Sequence, residues 1–359
     1  MLRAVGHTLR SIAVGGHWRA PWESFPIYSY GVMLGLSFVV GWYIVLGLTD
    51  RQGLDRKVMA DCYVFTAFSA IVGSRVLYIL TNLDEFRDHE THALSLFMML
   101  RLRSGGLVAY GGFLGGLLGS TAFLRSNNIR LAAWADAAVP SLGTGLCITR
   151  LGCYMYGCDF GRPLPPHAPA FLQRLGSFPH WADNKGAPAW QQHVEHGFHA
   201  AQADCVAAYH GVWNAARGLC RIPQDAAHSV PVHPTQLYES LTGLTLFVLL
   251  MAVWRRRTFE GQVCLAFWIL YGVARSALEI IRDDLERGVV GPLSTSQFIG
   301  LTSLLVALPL YLYLRKNGTP AKGVNLFEPV PAAGPEVKAD PVPETKPDAE
   351  EKPAEEAKP

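Results

Sequence analysis

Residues Ala135 to Pro163 read ADAAVPSLGTGLCITRLGCYMYGCDFGRP, an apolar run that ends on a full charge. From Ala137 to Thr149 nothing is charged. Arg150 then stands among Gly143, Gly145, Gly152, Gly157 and Gly161, with Cys153 and Cys158 beside it. A guanidinium keeps its proton in any protein setting, so at the edge of an apolar segment it requires an anionic partner, water or a route to an interface. The glycines let backbones or a ligand come close. This stretch predicts a helix that enters a bilayer and ends at a charged site.

The rest of the chain has the same character. Of its 359 residues 50% are hydrophobic and only 17% charged, against roughly 25% charged in soluble domains, so the composition is that of a membrane protein. A bilayer core of ~30 Å takes about 20 apolar residues per helix. Seven segments qualify: Phe25–Leu48, Cys62–Leu83, Gly105–Leu124, Leu131–Thr149, Leu237–Trp254, Cys264–Ile281 and Pro292–Leu314. The expected fold is an all-α integral membrane protein of seven transmembrane helices. It comprises an outward N-terminal segment over residues 1–24, a membrane domain over 25–315 with an outward-facing insertion over 163–232, and a disordered tail over 316–359. The tail follows from its Pro, Ala, Glu and Lys content, which cannot bury enough apolar surface to offset ordering.

Lys/Arg bias of the short loops sets the orientation. Arg51, Arg56 and Lys57, then Arg125 and Arg130, then Arg255, Arg256 and Arg257, and finally Arg315, Lys316 and Lys322 fall on one side, expected to be cytoplasmic. The end of the Arg150 helix then faces outward. Residues 1–20 carry no convincing secretory signal. A net charge of +2 argues against a nucleic-acid surface, and no Cys/His spacing resembles a zinc site, so no metal is expected. Of seven cysteines, Cys62, Cys147 and Cys264 read as small core residues. Cys205 and Cys220 lie in the polar insertion, where a disulfide forms if that side is oxidising.

Two further stretches carry chemistry. Tyr271, Arg275, Glu279 and Arg282 are spaced four, four and three, placing them on one helical face. Glu279 at i,i+4 is positioned to neutralise Arg275. Arg150 is expected to remain an unneutralised second cation near the same leaflet, so that an anionic ligand shared with Arg275 is favoured over a plain ion-paired stripe. The cluster His233-Pro234-Thr235-Gln236-Leu237-Tyr238-Glu239 opens the fifth helix, with Thr235 as its expected N-cap and Glu239 one turn in, where the dipole favours it. Packing alone accounts for Gly115 to Gly119, whereas the double glycines either side of Tyr110 suggest backbone N–H groups approaching an anion. Tyr30 reads equally as an interfacial belt residue. Arg75 and Asp136 are expected to pair across helices.

Tyr30-Gly31, Gly73-Ser74-Arg75, Gly105-Gly106…Tyr110-Gly111-Gly112, Arg150-Leu151-Gly152…Gly157…Gly161-Arg162-Pro163, the HPTQLYE element and Tyr271-Gly272…Arg275…Glu279…Arg282 follow one another in an order that resembles the bacterial prolipoprotein diacylglyceryl transferases. The resemblance covers about residues 25 to 315, interrupted by the insertion. It implies a multi-pass enzyme of the bacterial inner membrane, acting as a monomer without a cofactor, with its site toward the periplasm and its C-terminus in the cytoplasm. It further implies transfer of diacylglycerol from phosphatidylglycerol to the lipobox cysteine of a preprolipoprotein. By that pattern Arg150 and Arg275 bind phosphate, Tyr110 joins them in catalysis, and Tyr30, Gly111, Gly112, Tyr271, Gln236, Glu239 and Glu279 line the substrate cavity, Glu279 orienting Arg275. The chain departs from well-known members in having Tyr110 for a histidine. It also has Cys153 and Cys158 where they carry an asparagine and an acidic residue, with Asp159 displaced by one as a substitute carboxylate. Those two cysteines are either free or joined. The alternative from another class is a non-catalytic lipid- or lipoprotein-binding membrane protein.

Overall fold

The computed structural model describes residues 29–86, 99, 106, 108–180, 186–282, 289–291 and 293–321. The expectations for residues 1–24 and for nearly all of the C-terminal tail lie outside the described residues. Long helices α1 (Ser29–Arg51), α2 (Arg56–Thr81), α3 (Ala109–Ser126) and α4 (Leu131–Tyr156) come first. The short helices α5 (Ala170–Gly176), α6 (Pro188–Glu195) and α7 (Gln202–Ala207) follow, with a hairpin of β1 (Val212–Asn214) and β2 (Leu219–Arg221). The chain then returns to long helices in α8 (Thr235–Arg256) and α9 (Gln262–Glu279). A two-residue hairpin, β3 (Val289–Val290) with β4 (Leu293–Ser294), leads into α10 (Thr295–Asn317). Five of these, α1, α2, α4, α8 and α10, are long and apolar enough to cross a membrane. Large apolar side chains stay exposed along the bundle, Phe68 at 64% and Leu118 at 70%, a surface that lipid and not water can cover.

α1 packs on α4, α4 on α8, α9 on α10, and α2 on α3. The last contact explains the glycines of α3. A Cβ on Gly111 would run into the Gly73 carbonyl and Leu77, one on Gly112 would meet Ser74 Oγ at 2.8 Å, and one on Gly115 would run into the Ser69 carbonyl. The Gly112 N–H bonds to Val108 O at 3.3 Å. Gly111 and Gly112 are therefore used by close helix packing.

The expected Arg75–Asp136 pair does not form. Arg75 donates to Met99 O at 2.9 Å and Gly106 O at 3.0 Å, and its guanidinium lies over the Tyr78 and Phe86 rings. Asp136 sits at the opposite end of the bundle. There it accepts from the N–H groups of Gly261, Val263 and Cys264 at 2.9 to 3.1 Å, and Arg257 lies 3.6 Å away. A carboxylate on the first free amides of α9 satisfies donors that the helix cannot, and it complements the helix dipole. Three amides and a guanidinium from the adjoining turn outcompete an arginine on α2.

The insertion is a folded unit at the end of the bundle where α4 stops, α8 starts and α9 stops. Phe178, Trp190, Val194, Phe198, Ile222 and Val232 form its core together with Phe160 from the preceding turn, and Cys205–Cys220 ties α7 to β2. Its two ends lie side by side, with Leu164 N bonded to Pro231 O at 2.8 Å and a bridge between Pro163 and Val232. Such closure lets a long excursion leave the helices undisturbed.

Candidate active site

α4 ends on Gly157, whose φ of +85° supplies the left-handed step that terminates the helix. Cys158 N and Gly157 N both return to the Cys153 carbonyl, at 3.3 and 2.8 Å. The chain leaving this cap is then woven to two others. Gly161 N bonds to His233 O at 3.0 Å, and Arg162 N bonds to Ile281 O at 2.9 Å. A Cβ on Gly161 would stand 2.8 Å from both His233 Cβ and Thr235 Cγ2, so the close approach requires glycine there. This weave brings the ends of α4, α8 and α9 to one point.

Six charged side chains meet at that point. Glu239, in the first turns of α8, faces Arg150 Nε with Oε2 and accepts from Arg275 Nη1 at 2.8 Å and Arg282 Nη1 at 3.5 Å with Oε1. Asp159 accepts from Arg150 Nη1 at 2.8 Å and Arg282 Nη2 at 2.6 Å. Glu279 lies 2.8 Å from Arg275 Nη2, and Ser296 Oγ accepts from the same nitrogen at 2.9 Å. Three arginines thus face three carboxylates. Arg150 is not the unneutralised cation expected from the sequence, because Glu239 and Asp159, from outside its own helix, both pair with it. Arg282 lies past the end of α9 and still joins the cluster.

Exposure separates an inner from an outer half. The Glu239, Glu279 and Arg282 side chains are 4%, 2% and 7% exposed, while Arg150 and Asp159 retain 20% and 29%. The Arg150–Asp159 side is thus the more open half of the cluster. Burial acts to raise the Asp159 pKa, but Arg150 and Arg282 outweigh it and hold the carboxyl below its ordinary value. The HPTQLYE element acts on this turn. Thr235 Oγ1 donates to Asp159 O at 2.6 Å and Gln236 Nε2 to Cys158 O at 2.5 Å. Thr235 is therefore the first residue of α8 and not its N-cap, a position that Pro234 takes without a side-chain bond.

The family model for prolipoprotein diacylglyceryl transferases matches residues 20–313. The chain belongs to the prolipoprotein diacylglyceryl transferase family. Among its relatives, phosphatidylglycerol–prolipoprotein diacylglyceryl transferase 2 of Clostridium perfringens is 26% identical over 83% of this chain and 94% of its own. The phosphatidylglycerol–prolipoprotein diacylglyceryl transferase of Paraburkholderia xenovorans is 29% identical over 82% and 92%. That of Deinococcus radiodurans is 25% identical over 82% and 84%.

Within this family member, the motif residues fall into two groups. Arg150, Arg275, Glu239 and Glu279 are in direct contact as described, and Gln236 holds the turn that bears Asp159. Tyr30 packs against α4, its Cα lying 3.2 Å from where a Gly152 side chain would begin. It is also within electrostatic reach of Arg150, Cys153 and Asp159. Tyr271 is within the same reach of Arg275, Glu239, Arg150 and Tyr110, and its ring stacks on Phe267. Tyr110 lies in the first turn of α3, and Gly111 and Gly112 turn toward α2. Arg282, Asp159 and Thr235 were not among the residues expected to form the site. The spacing of Arg282 from Glu279 was the available signal for the first, and the displaced carboxylate for the second. Thr235 gave none beyond its place in the motif.

Proposed function

We propose that this chain is a phosphatidylglycerol–prolipoprotein diacylglyceryl transferase with seven membrane spans, set in a bacterial inner membrane, with the Arg150 cluster toward the periplasm and the C-terminus in the cytoplasm. α3 and α9 complete the seven. Each has 18 residues, about 27 Å of helix at 1.5 Å per residue, and glycines in one and Arg275 with Glu279 in the other lower their apolar content. The Cys205–Cys220 bond supports an oxidising side for the insertion, and the cluster lies at the same end.

One observation carries the reading. Arg150 and Arg275 come from different helices onto the two oxygens of the Glu239 carboxylate. A phosphate diester entering from the Arg150–Asp159 side meets guanidinium groups that Glu239 already holds together, with Glu239 staying in place behind them. In the reaction the acceptor thiolate attacks the glycerol carbon of the diacylglyceryl group. The S–C bond forms, the C–O bond to phosphorus breaks, and its electron pair leaves on glycerol phosphate. Negative charge grows on the phosphate oxygens, and a preorganised donor at such a position lowers a barrier by roughly 3–4 kcal/mol. The cationic neighbourhood also favours the thiolate over the thiol, whose free pKa is about 8.5. Glu239 and Glu279 hold Arg275 in place, and Tyr110 and Tyr271 line the approach from α3 and α9.

The test is transfer of the diacylglyceryl group from phosphatidylglycerol vesicles to a lipobox peptide. Wild-type protein is expected to produce the thioether and glycerol phosphate together, and Arg150→Ala to produce neither while inserting normally. Binding of both substrates without turnover would replace the enzyme by a lipid-binding relative.

A further inference from the structure

The cap of α4 brings two thiols together by backbone geometry alone. Cys153 lies four residues before the left-handed Gly157 and Cys158 directly after it. These are the two positions whose side chains touch when a helix ends in this way. The bond from Cys158 N to Cys153 O is the signature of that arrangement. Cys153 Sγ, Cys158 Sγ and an Asp159 oxygen all lie within 4.8 Å of one another, and both cysteines are in the thiol form. The pair is wired to the charged cluster, since Arg150 Nη1 is 3.8 Å from Cys153 Sγ and Cys158 Sγ is 3.6 Å from Asp159 Oδ2. A disulfide is already closed in the insertion at this end of the bundle.

We propose that Cys153 and Cys158 form a redox-active dithiol, a modification site that exchanges with disulfides and, once closed, disables the Arg150 cluster. Cys158, the more exposed of the two, loses its proton and attacks one sulfur of an incoming disulfide as the thiolate. That S–S bond breaks and one thiolate leaves. The buried Cys153 then loses its proton and displaces the second thiolate from Cys158, closing the Cys153–Cys158 bond. Two electrons pass to the external disulfide, which departs as two thiols carrying the two protons. Closure takes the Cys158 thiol off Asp159 and draws the Cys158–Asp159 peptide toward the helix end, away from the bonds of Gln236 and Thr235. Asp159 then no longer bridges Arg150 and Arg282.

The probe is glutathione disulfide, applied over a series of glutathione ratios to the full chain in detergent, with alkylation and mass analysis of each cysteine. The activity arm rests on the transferase reading; the mass arm does not. The expected result is joint protection of Cys153 and Cys158 with loss of two hydrogens. A fall in transfer of about 100-fold accompanies it, the scale of a 1 Å misplacement, and both reverse on reduction while Cys205–Cys220 stays closed. Independent alkylation of the two thiols at every ratio, or glutathione retained on one of them, overturns the proposal. A closed pair with undiminished transfer also overturns it. Absence of transfer in every redox state would count against the transferase reading and leave the mass result to decide.

Discussion

Arg275 Nη1 donates to Glu239 Oε1 across 2.8 Å, and this contact ties α9 to α8 at the level where Arg150 meets the other carboxylate oxygen. Glu239 is the least replaceable of the three carboxylates because three arginines use it. Glu239→Gln leaves them with one negative charge fewer in a buried setting, and breaking such a pair costs about 3–5 kcal/mol. The expected outcome is a clear fall in the melting temperature of the detergent-solubilised protein together with loss of transfer. A variant that melts like wild type would place the arginines on other anions.

Thr235→Val keeps the shape of the side chain and removes the hydroxyl that donates to Asp159 O at 2.6 Å. An unsatisfied buried carbonyl costs about 1–3 kcal/mol. Since Thr235 acts on the turn and not on a ligand, kcat should fall with little change in KM for the lipid. A rise in KM alone would assign Thr235 to lipid contact.

His193 gives the insertion a pH dependence. It is buried between Phe160 and Phe198, its Nδ1 has no partner among the described residues, and burial pushes its pKa down to about 3. In the unfolded chain the value is about 6.5, so the folded state binds fewer protons. The stabilisation is fully present above pH ~6.5 and is lost as pH falls toward 3. Unfolding of the insertion, followed by Trp190 and Trp213 fluorescence, should shift across that window, and His193→Phe should flatten the shift. An unchanged slope in the variant would assign the acid lability to another group.

Cys205–Cys220 closes a loop with a sequence separation of 15, and a bond of that span stabilises by about 3 kcal/mol. Cys205→Ser should make the insertion susceptible to proteolysis while α1 to α4 remain protected, because the insertion has its own core. Equal susceptibility throughout the chain would mean that the insertion and the helices unfold as one unit.

Long helices were legible because an uncharged apolar run of bilayer length is rarely anything but a membrane helix. Five of those seen, α1, α2, α4, α8 and α10, are long and apolar enough to cross a membrane, and the expected ends move by as much as the step from Thr149 to Tyr156 in α4. Convergence of Arg150 and Arg275 was also legible, since a charge that ends an apolar segment must be answered from a neighbouring helix. What answers it was not. Sequence pairs Asp136 with Arg75 because it displays charges and hides the free amides at the start of α9, which hold Asp136 instead. Thr235 has the look of a cap because hydroxyl residues before helices usually are one; its actual partner, Asp159 O, is far away in sequence. The glycines around Tyr110 suggest a ligand, and at Gly106, Gly111 and Gly112 it is residues of α2 that occupy the space. For Asp136 and Thr235 the deciding partner is a backbone atom, which carries no residue-specific mark.

We propose that one phospholipid headgroup is gripped by both Arg150 and Arg275. A double-mutant cycle on phosphatidylglycerol binding, with Arg150→Gln, Arg275→Gln and the pair, measures this directly. Each single variant should weaken binding by roughly 10- to 100-fold, the worth of hydrogen bonds to a charged group, and the pair should lose far less than the product of the two, as residues sharing one partner do. Strictly multiplicative losses, or wild-type affinity in either single variant, would contradict it.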